Sequence, residues 1–447
     1  MLNNKRLNLI NIAAIYIQVL FIFNFFYKKI DILYFPLYLL PGIFFFLFYI
    51  IGKKFSNFYL SKLLSISLFV SLFLANFYVL ITEKNQLNII EKKREDNKNF
   101  YQTFLPRPFI AENSNEFIEK NFKINGKAYI PLSDVSKSEV IYCSEDEGWT
   151  IYKSDSKGFH NPKNIWASYE TGGLVLLGDS WIHGACVPSQ NNLSSVIRSK
   201  FQNVISLGRG GNGPLLNLAI LYEFGLSRKP DKVIWFHSDN DLVDLNIEKN
   251  NKVLKNYLNS NQKLNLINNT KKIDEDLKIF LNKRIEFKKN NTNLIKEIYY
   301  IFSLHKLINK ILSHKIERSF VNRLVSQNDY DSLSHLDFKL FEKIILKARN
   351  ISKKNNIEFY FVINPFISDK GYLDPFLSSK ENVKKYHENL ISILKRNNIQ
   401  FLDLNTKIEK IKKISEFISK PGYYGHPNSK GYKLWGDHIN QFLININ

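Results

Sequence analysis

At 447 residues the chain is too long for one small domain, and two or three units are expected. Its formal net charge of +21 comes from lysine scattered through a Lys-, Asn- and Ile-rich sequence. With no compact Arg-rich block and no nucleic-acid module, binding to nucleic acid is excluded as the working reading, and attraction to anionic lipid or an acidic surface polymer fits the excess better. Cys143 and Cys186 belong to no CxxC pair, which argues against a zinc site built on them. By themselves they leave open one disulfide or two buried thiols. No metal or cofactor is called for.

Three apolar segments open the chain, Leu7–Tyr27, Ile32–Ile51 and Leu60–Ile81. Each is about 20 residues, enough to cross a hydrocarbon core near 30 Å thick. Pro36, Pro41 and Gly42 would kink the second, which membrane helices tolerate. Three such runs with only Lys-bearing hinges between them argue for a membrane anchor over 1–82 rather than buried soluble helices or a cleaved signal peptide. Basic residues flank both sides about equally, so charge alone leaves the orientation open. With the N-terminus cytoplasmic, three crossings put the rest of the chain outside. Residues 83–124 are polar, with Pro106 and Pro108 interrupting, and read as a linker or stalk.

From 125 to 170 short β-like pieces alternate with turns at Gly148, Gly158 and Pro162, an irregular lead-in whose Trp149, Phe159 and Trp166 are expected to pack. An α/β alternation follows. Leu174–Leu177 is a continuous apolar run of the kind a buried parallel strand shows, and it ends at Gly178-Asp179-Ser180. Helix Leu193–Phe201 leads to strand Asn203–Leu207 and the Gly-rich turn 208–214. Helix 215–226 then leads to strand Lys232–Phe236, which ends at His237-Ser238-Asp239-Asn240-Asp241. Residues 246–330 break the rhythm as a helical insertion, either a lid over the site or a solvated elaboration. Helix Leu336–Lys353, strand Ile357–Ile363, helix Asn382–Arg396 and strand Ile399–Leu404 restore it. A loop carrying His426 precedes the closing helix Lys430–Leu443. The pattern predicts a doubly wound, five-stranded parallel sheet with helices on both faces.

Ligands of such sheets bind outside the carboxyl ends of the strands. Ser180, the Gly-rich turn and Asn240 all fall there, and His426 stands before the last helix. A serine hydroxyl is a poor nucleophile without an adjacent base, and an imidazole titrating near pH 6.5 can take its proton and return it to a leaving group. Glycine at 211 allows close backbone approach, and the Asn240 amide can donate to an oxyanion without carrying charge.

In this set of motifs the chain resembles the SGNH (GDSL-type) hydrolases over 171–242 and 399–443. The resemblance implies Ser180 as nucleophile and His426 as general base, with Gly211, Asn240 and the Ser180 N–H as oxyanion donors. His183, Arg209 and His237 are candidates for lining the pocket. Asp179 is expected to support the turn or cap the following helix, and Asp241 to be structural. His160, His305, His314, His335, His387 and His438 are expected at ordinary surface or packing positions.

Two positions depart from the family pattern. Ser238 stands where Gly is usual. Tyr423 stands where an Asp usually orients the histidine, which leaves a Ser–His dyad, a backbone carbonyl, or a recruited carboxylate such as Asp403 or Glu416. Gly158-Phe159-His160-Asn161-Pro162 followed by the Gly-Asp-Ser block is similar to bacterial membrane-anchored members, in which a Cys upstream and a Cys shortly after the serine look like a matched pair. That implies a Cys143–Cys186 disulfide, hence an oxidising, extracytoplasmic compartment at the bacterial inner membrane. The expected protein is a membrane-anchored serine esterase or O-acyltransferase acting on O-acyl groups of a surface polysaccharide or glycolipid. The alternative is a non-catalytic carbohydrate-binding or envelope-assembly component of the same fold.

Overall fold

The structure, a computed structural model, describes residues 92–290 and 333–446 except 146–147, 169–170, 261–262, 334–335, 367–379, 409–410, 412 and 420–425, together with parts of 71–81. The expected membrane spans lie outside the described residues but for the end of the third. Among the described residues no helix is long and apolar enough to cross a membrane. The chain divides into two compact units, and the one comprising Asn97–Arg284 and Gln327–Asn447 carries every described strand.

The stretch expected to be a linker is folded from Asn97 onward. Strand β1 (Phe100–Gln102) is followed by helices α1 (Pro106–Glu112) and α2 (Asn115–Asn121). Pro106 opens α1, where a missing N–H breaks no helical bond, so prolines that look like interruptions start a helix instead. Phe109 and Ile118 are fully buried. Strand β2 (Glu139–Glu145) pairs in parallel with β1 and antiparallel with β3 (Gly148–Lys153). Phe159 packs in the core as expected, whereas Trp149 is 44% exposed.

The main sheet is parallel throughout. Its strands are β4 (Leu174–Leu177), β5 (Val204–Ser206), β6 (Lys232–His237), β7 (Glu358–Ile363) and β8 (Phe401–Asp403), in the spatial order β8-β7-β6-β4-β5. Counted from β4 this is 2-1-3-4-5, with a switch point between β4 and β6. Successive strand side chains point to opposite faces. Leu174, Leu176, Ile234 and Phe236 therefore join one core, while Val175, Leu177, Val233 and Trp235 join the other. Burial on both faces is why these strands read as unbroken apolar runs.

Helix α3 (Ser180–His183) follows β4, and α4 (Leu193–Arg198) packs against α11 (Ser429–Asn445) on one face. On the other face α5 (Pro214–Glu223) is buried along its whole length, not on one side only. The added cover comes from α7 (Lys252–Asn259) and α9 (Phe338–Lys354), which pack against it. Helix α6 (Asp241–Glu248) precedes α7, α8 (Thr270–Asn290) follows it, and α10 (Lys380–Arg396) lies between β7 and β8. The described part of the insertion is core rather than lid. Leu254, Tyr257, Ile273 and Leu277 are buried. Glu223 accepts bonds from the Tyr257 hydroxyl and from the backbone N–H groups of Leu264 and Leu266. Residues 291–332 lie outside the described residues.

Glu248, at the end of α6, reaches the start of α5 and accepts from the N–H groups of Gly213 (2.7 Å), Leu215 (2.8 Å) and Leu216 (3.4 Å). Burial pushes its carboxyl up to about 8 against the pull of these donors. The folded protein thus holds a proton that the unfolded chain releases near its ordinary carboxylate value. The contribution is fully present below that value and is lost as pH rises through 8. In Glu248→Gln, which cannot ionise, stability relative to the parent is expected to rise between pH 5 and pH 8, by up to about 3 kcal/mol. Urea denaturation at the two pH values measures it, and a difference that stays flat refutes the argument.

Candidate active site

Ser180 begins α3 directly past the carboxyl end of β4. A side chain at Gly178 would come within 2.8 Å of Ile182 Cγ1, so the turn needs glycine there. The Asp179 carboxylate caps α3, its Oδ1 accepting from Trp181 N–H at 3.1 Å and from Ser238 Oγ at 3.0 Å. Ser238 in turn accepts from Asn364 Nδ2 at 2.9 Å. The serine at 238 thus fixes the aspartate beside Ser180. Ser180 Oγ lies 3.0 Å from His426 Nε2 and 3.2 Å from Asp179 Oδ2. One hydroxyl proton faces two acceptors, and only the bond toward a neutral His426 prepares a nucleophile.

The His426 loop is set by its backbone. Ser419 N–H donates to His426 O at 2.9 Å, and Ile418 bridges Pro427. Asn428 caps α11 through Gly431 N–H at 3.0 Å. Gly431 must be glycine, because a Cβ there would lie 2.1 Å from Phe417 O. Tyr423 lies outside the described residues. Of the two carboxylates considered for orienting His426, Asp403 places Oδ2 on His387 Nε2 at 2.8 Å and Oδ1 on Asn405, while Glu416 pairs with Lys413 at 3.6 Å.

Gly211 sits at φ +70°, a conformation glycine adopts without strain. Asn240 stands at the start of α6 and donates from Nδ2 to Asp244 Oδ2 at 3.1 Å. One residue that sequence reasoning passed over links the two. Arg107, from α1, pairs its Nε with Asp244 Oδ1 at 2.9 Å. It also lies against Gly211, where a Cβ would be 3.3 Å from Arg107 Cδ and 3.7 Å from Nη1. No local motif marks it, because the surrounding stretch has the composition of a linker.

The three side chains expected to line the pocket do not. Arg209 is fully buried, meeting neither solvent nor substrate. Its guanidinium takes Asp134 in a two-pronged ion pair, with both N–O distances 2.6 Å, and also donates to Phe104 O. Burial opposes its charge, but the Asp134 carboxylate beside it keeps it firmly protonated.

His183 is also fully buried, stacked on Tyr142 with ring centroids 3.8 Å apart. Burial, and then the Arg209 charge, push its pKa well down, so it is neutral. Its Nδ1 accepts from Gly210 N–H at 3.2 Å, and its Nε2 lies 2.8 Å from Tyr152 Oη and 3.0 Å from Arg209 Nη1. Tyr152 passes its own hydrogen to Asp134 Oδ2 at 2.7 Å. Both ring nitrogens of His183 are thus engaged inside the protein. His237, pushed down to about 3 mainly by burial, lies in the core between Asp241 (Oδ2 3.0 Å from Nδ1) and Tyr386 (2.8 Å from Nε2).

The lead-in motif is a strap across this region. His160 bonds His183 O through Nδ1 at 2.8 Å, and Asn161 bonds both Ser206 N and Ser206 O on edge strand β5. Cys143 and Cys186 form a disulfide, Cα–Cα 5.2 Å, which ties β2 to the loop after α3.

No family model matches the chain, and no curated protein matches it. Solved structures do. A member of the lipolytic G-D-S-L family from Veillonella parvula is 14% identical over 61% of this chain and 97% of its own, TM-score 0.32. A lipase/acylhydrolase from Enterococcus faecalis is 14% identical over 61% and 95%, TM-score 0.33. An acetyl xylan esterase is 13% identical over 60% and 98%, TM-score 0.34. The strand order, the serine past the first strand of the sheet and the histidine before the last helix are this chain's own, and they make its α/β unit an SGNH-type fold.

Removing one partner of a buried ion pair leaves the other uncompensated, at a cost of about 3–5 kcal/mol. Asp134→Ala is expected to lose that much in urea denaturation. An effect below about 1 kcal/mol would place the pair among surface salt bridges in energy.

Proposed function

We propose that the chain is a membrane-anchored serine esterase or O-acyltransferase acting through an acyl-Ser180 intermediate. The observation that carries the reading is the 3.0 Å approach of His426 Nε2 to Ser180 Oγ, on loops from opposite ends of the domain sequence. His426 takes the hydroxyl proton as Ser180 Oγ attacks the ester carbonyl. Negative charge then develops on the carbonyl oxygen, where Gly211 N–H, the Asn240 amide and Ser180 N–H serve as donors. His426 returns the proton to the departing sugar oxygen. Water or a second sugar hydroxyl, deprotonated by the same imidazole, releases the acyl group.

The three apolar segments support the anchor, and so do Leu74, Phe77, Tyr78 and Ile81, exposed by 64%, 47%, 67% and 42%. Such side chains are stable in lipid and costly in water. The disulfide supports an oxidising, extracytoplasmic compartment at a bacterial inner membrane. That setting, and the esterase and acylhydrolase names of the similar structures, favour O-acyl groups on a surface polysaccharide or glycolipid as substrate. The second reading, a carbohydrate-binding or assembly component without catalysis, draws on Tyr423 in place of the usual aspartate.

Full-length protein in detergent is expected to hydrolyse 4-nitrophenyl acetate, with kcat/KM falling about 10⁴-fold or more in Ser180→Ala and in His426→Ala. A fluorophosphonate is expected to label the parent at Ser180. Equal rates in all three proteins, or no turnover and no labelling, would remove the enzymatic reading and leave the binding one.

A further inference from the structure

Arg107 is built into the site and is not used by the acyl-transfer chemistry. Its Nε lies 2.9 Å from Oδ1 of Asp244, which is 1% exposed, and this ion pair places the base of the guanidinium. Its side chain remains 29% exposed, and the terminal nitrogens of its fork bond no partner among the described residues. Nη1 lies against Gly211, one of the three proposed oxyanion donors, and Asp244 also holds Asn240, another. A fixed, forked cation is thus held beside the place where the acyl carbonyl must sit. Burial pushes the Asp244 carboxyl up, with Arg107 opposing.

A second group of cations includes Lys249, just past the end of α6. A groove of about 490 Å³ is lined by Lys249, Lys255, Lys343 and Lys347, with no acidic residue in its described lining. Lys249 directly follows α6, whose start is Asn240. The eight residues of α6 separate the two, about 13 Å at 1.5 Å per residue. A chain of +21 that collects lysines at one end of a short helix and a forked arginine at the other suits an extended anionic ligand better than a neutral one.

We propose that Arg107 is the anion-binding residue of the substrate site: its fork receives a carboxylate or phosphate on the sugar that carries the ester, so the acylated substrate is an acidic glycan. The assignment rests on the esterase reading for its reaction, but not for its binding.

The test uses full-length protein in detergent and three acetylated monosaccharides: methyl glucuronide, methyl glucoside and glucose 6-phosphate. The parent is expected to favour one or both acids over the glucoside by about 10- to 100-fold in kcat/KM, the range of one charge-assisted bond. Which acid wins distinguishes carboxylate from phosphate. Arg107→Gln is expected to lose that preference chiefly through KM. Arg107→Lys, a point charge without the fork, is expected to keep part of it. Calorimetric binding of unacetylated methyl glucuronide against methyl glucoside to Ser180→Ala gives the same comparison without turnover, so a failed esterase reading does not hide the result. No preference for an acid by either measure overturns the proposal. So does an equal fall on all three substrates in Arg107→Gln, which would make the residue structural.

Discussion

The ion pair between Asp134 and Arg209 is the constraint on which the rest of the site depends. Arg209 is the second residue of the Gly-rich turn, and Asp134 lies 75 residues earlier, in the lead-in. Two charges taken out of water are tolerable only if each is paired and its remaining hydrogen-bonding capacity is filled. Asp134 accordingly accepts from Arg209, from Tyr152, from Thr103 and from the backbone N–H of Phe104. Each bond fixes a different piece of chain against the others. The turn that carries Gly211 cannot shift without uncovering a buried charge.

His183 transmits that constraint to the nucleophile. It belongs to the helix that Ser180 begins, and it accepts from Gly210, next to Gly211. A histidine kept neutral by burial and by a nearby guanidinium behaves here as a rigid two-ended connector, not as a titrating group. The disulfide and the His160–Asn161 strap act in the same direction from outside, holding β2 and the edge of β5 to the loop after the serine. Catalysis by preorganised donors gains only when those donors do not have to be reordered during reaction. An irregular lead-in is therefore part of the apparatus that keeps the turn carrying Gly211 still.

What the sequence shows in advance follows from how local each signal is. The strands β4, β5 and β6 are legible because burial on both faces makes them unbroken apolar runs. Ser180 and His426 are legible because each sits in a short motif at the expected end of its element. Arg209 is not, since a cation in a Gly-rich turn looks solvated until a partner 75 residues distant is brought beside it. His183 and His237 read as pocket residues from their closeness in sequence to Ser180 and Asn240. The helical and strand periodicities turn both rings inward instead. Residues 97–124 read as linker because prolines and charges dominate. The apolar minority, Phe104, Phe109 and Ile118, is enough to bury them, and Pro106 opens a helix rather than ending one.

Asp179 raises the last point of chemistry. It accepts from Ser180 Oγ on one oxygen while Ser238 and Trp181 hold the other. In the resting arrangement the serine proton is shared between a carboxylate at 3.2 Å and an imidazole at 3.0 Å. The serine at 238 is therefore not an idle departure from the family's glycine. By holding Asp179 it fixes the second acceptor beside the Ser180 hydroxyl, and it does so from the same loop that carries Asn240.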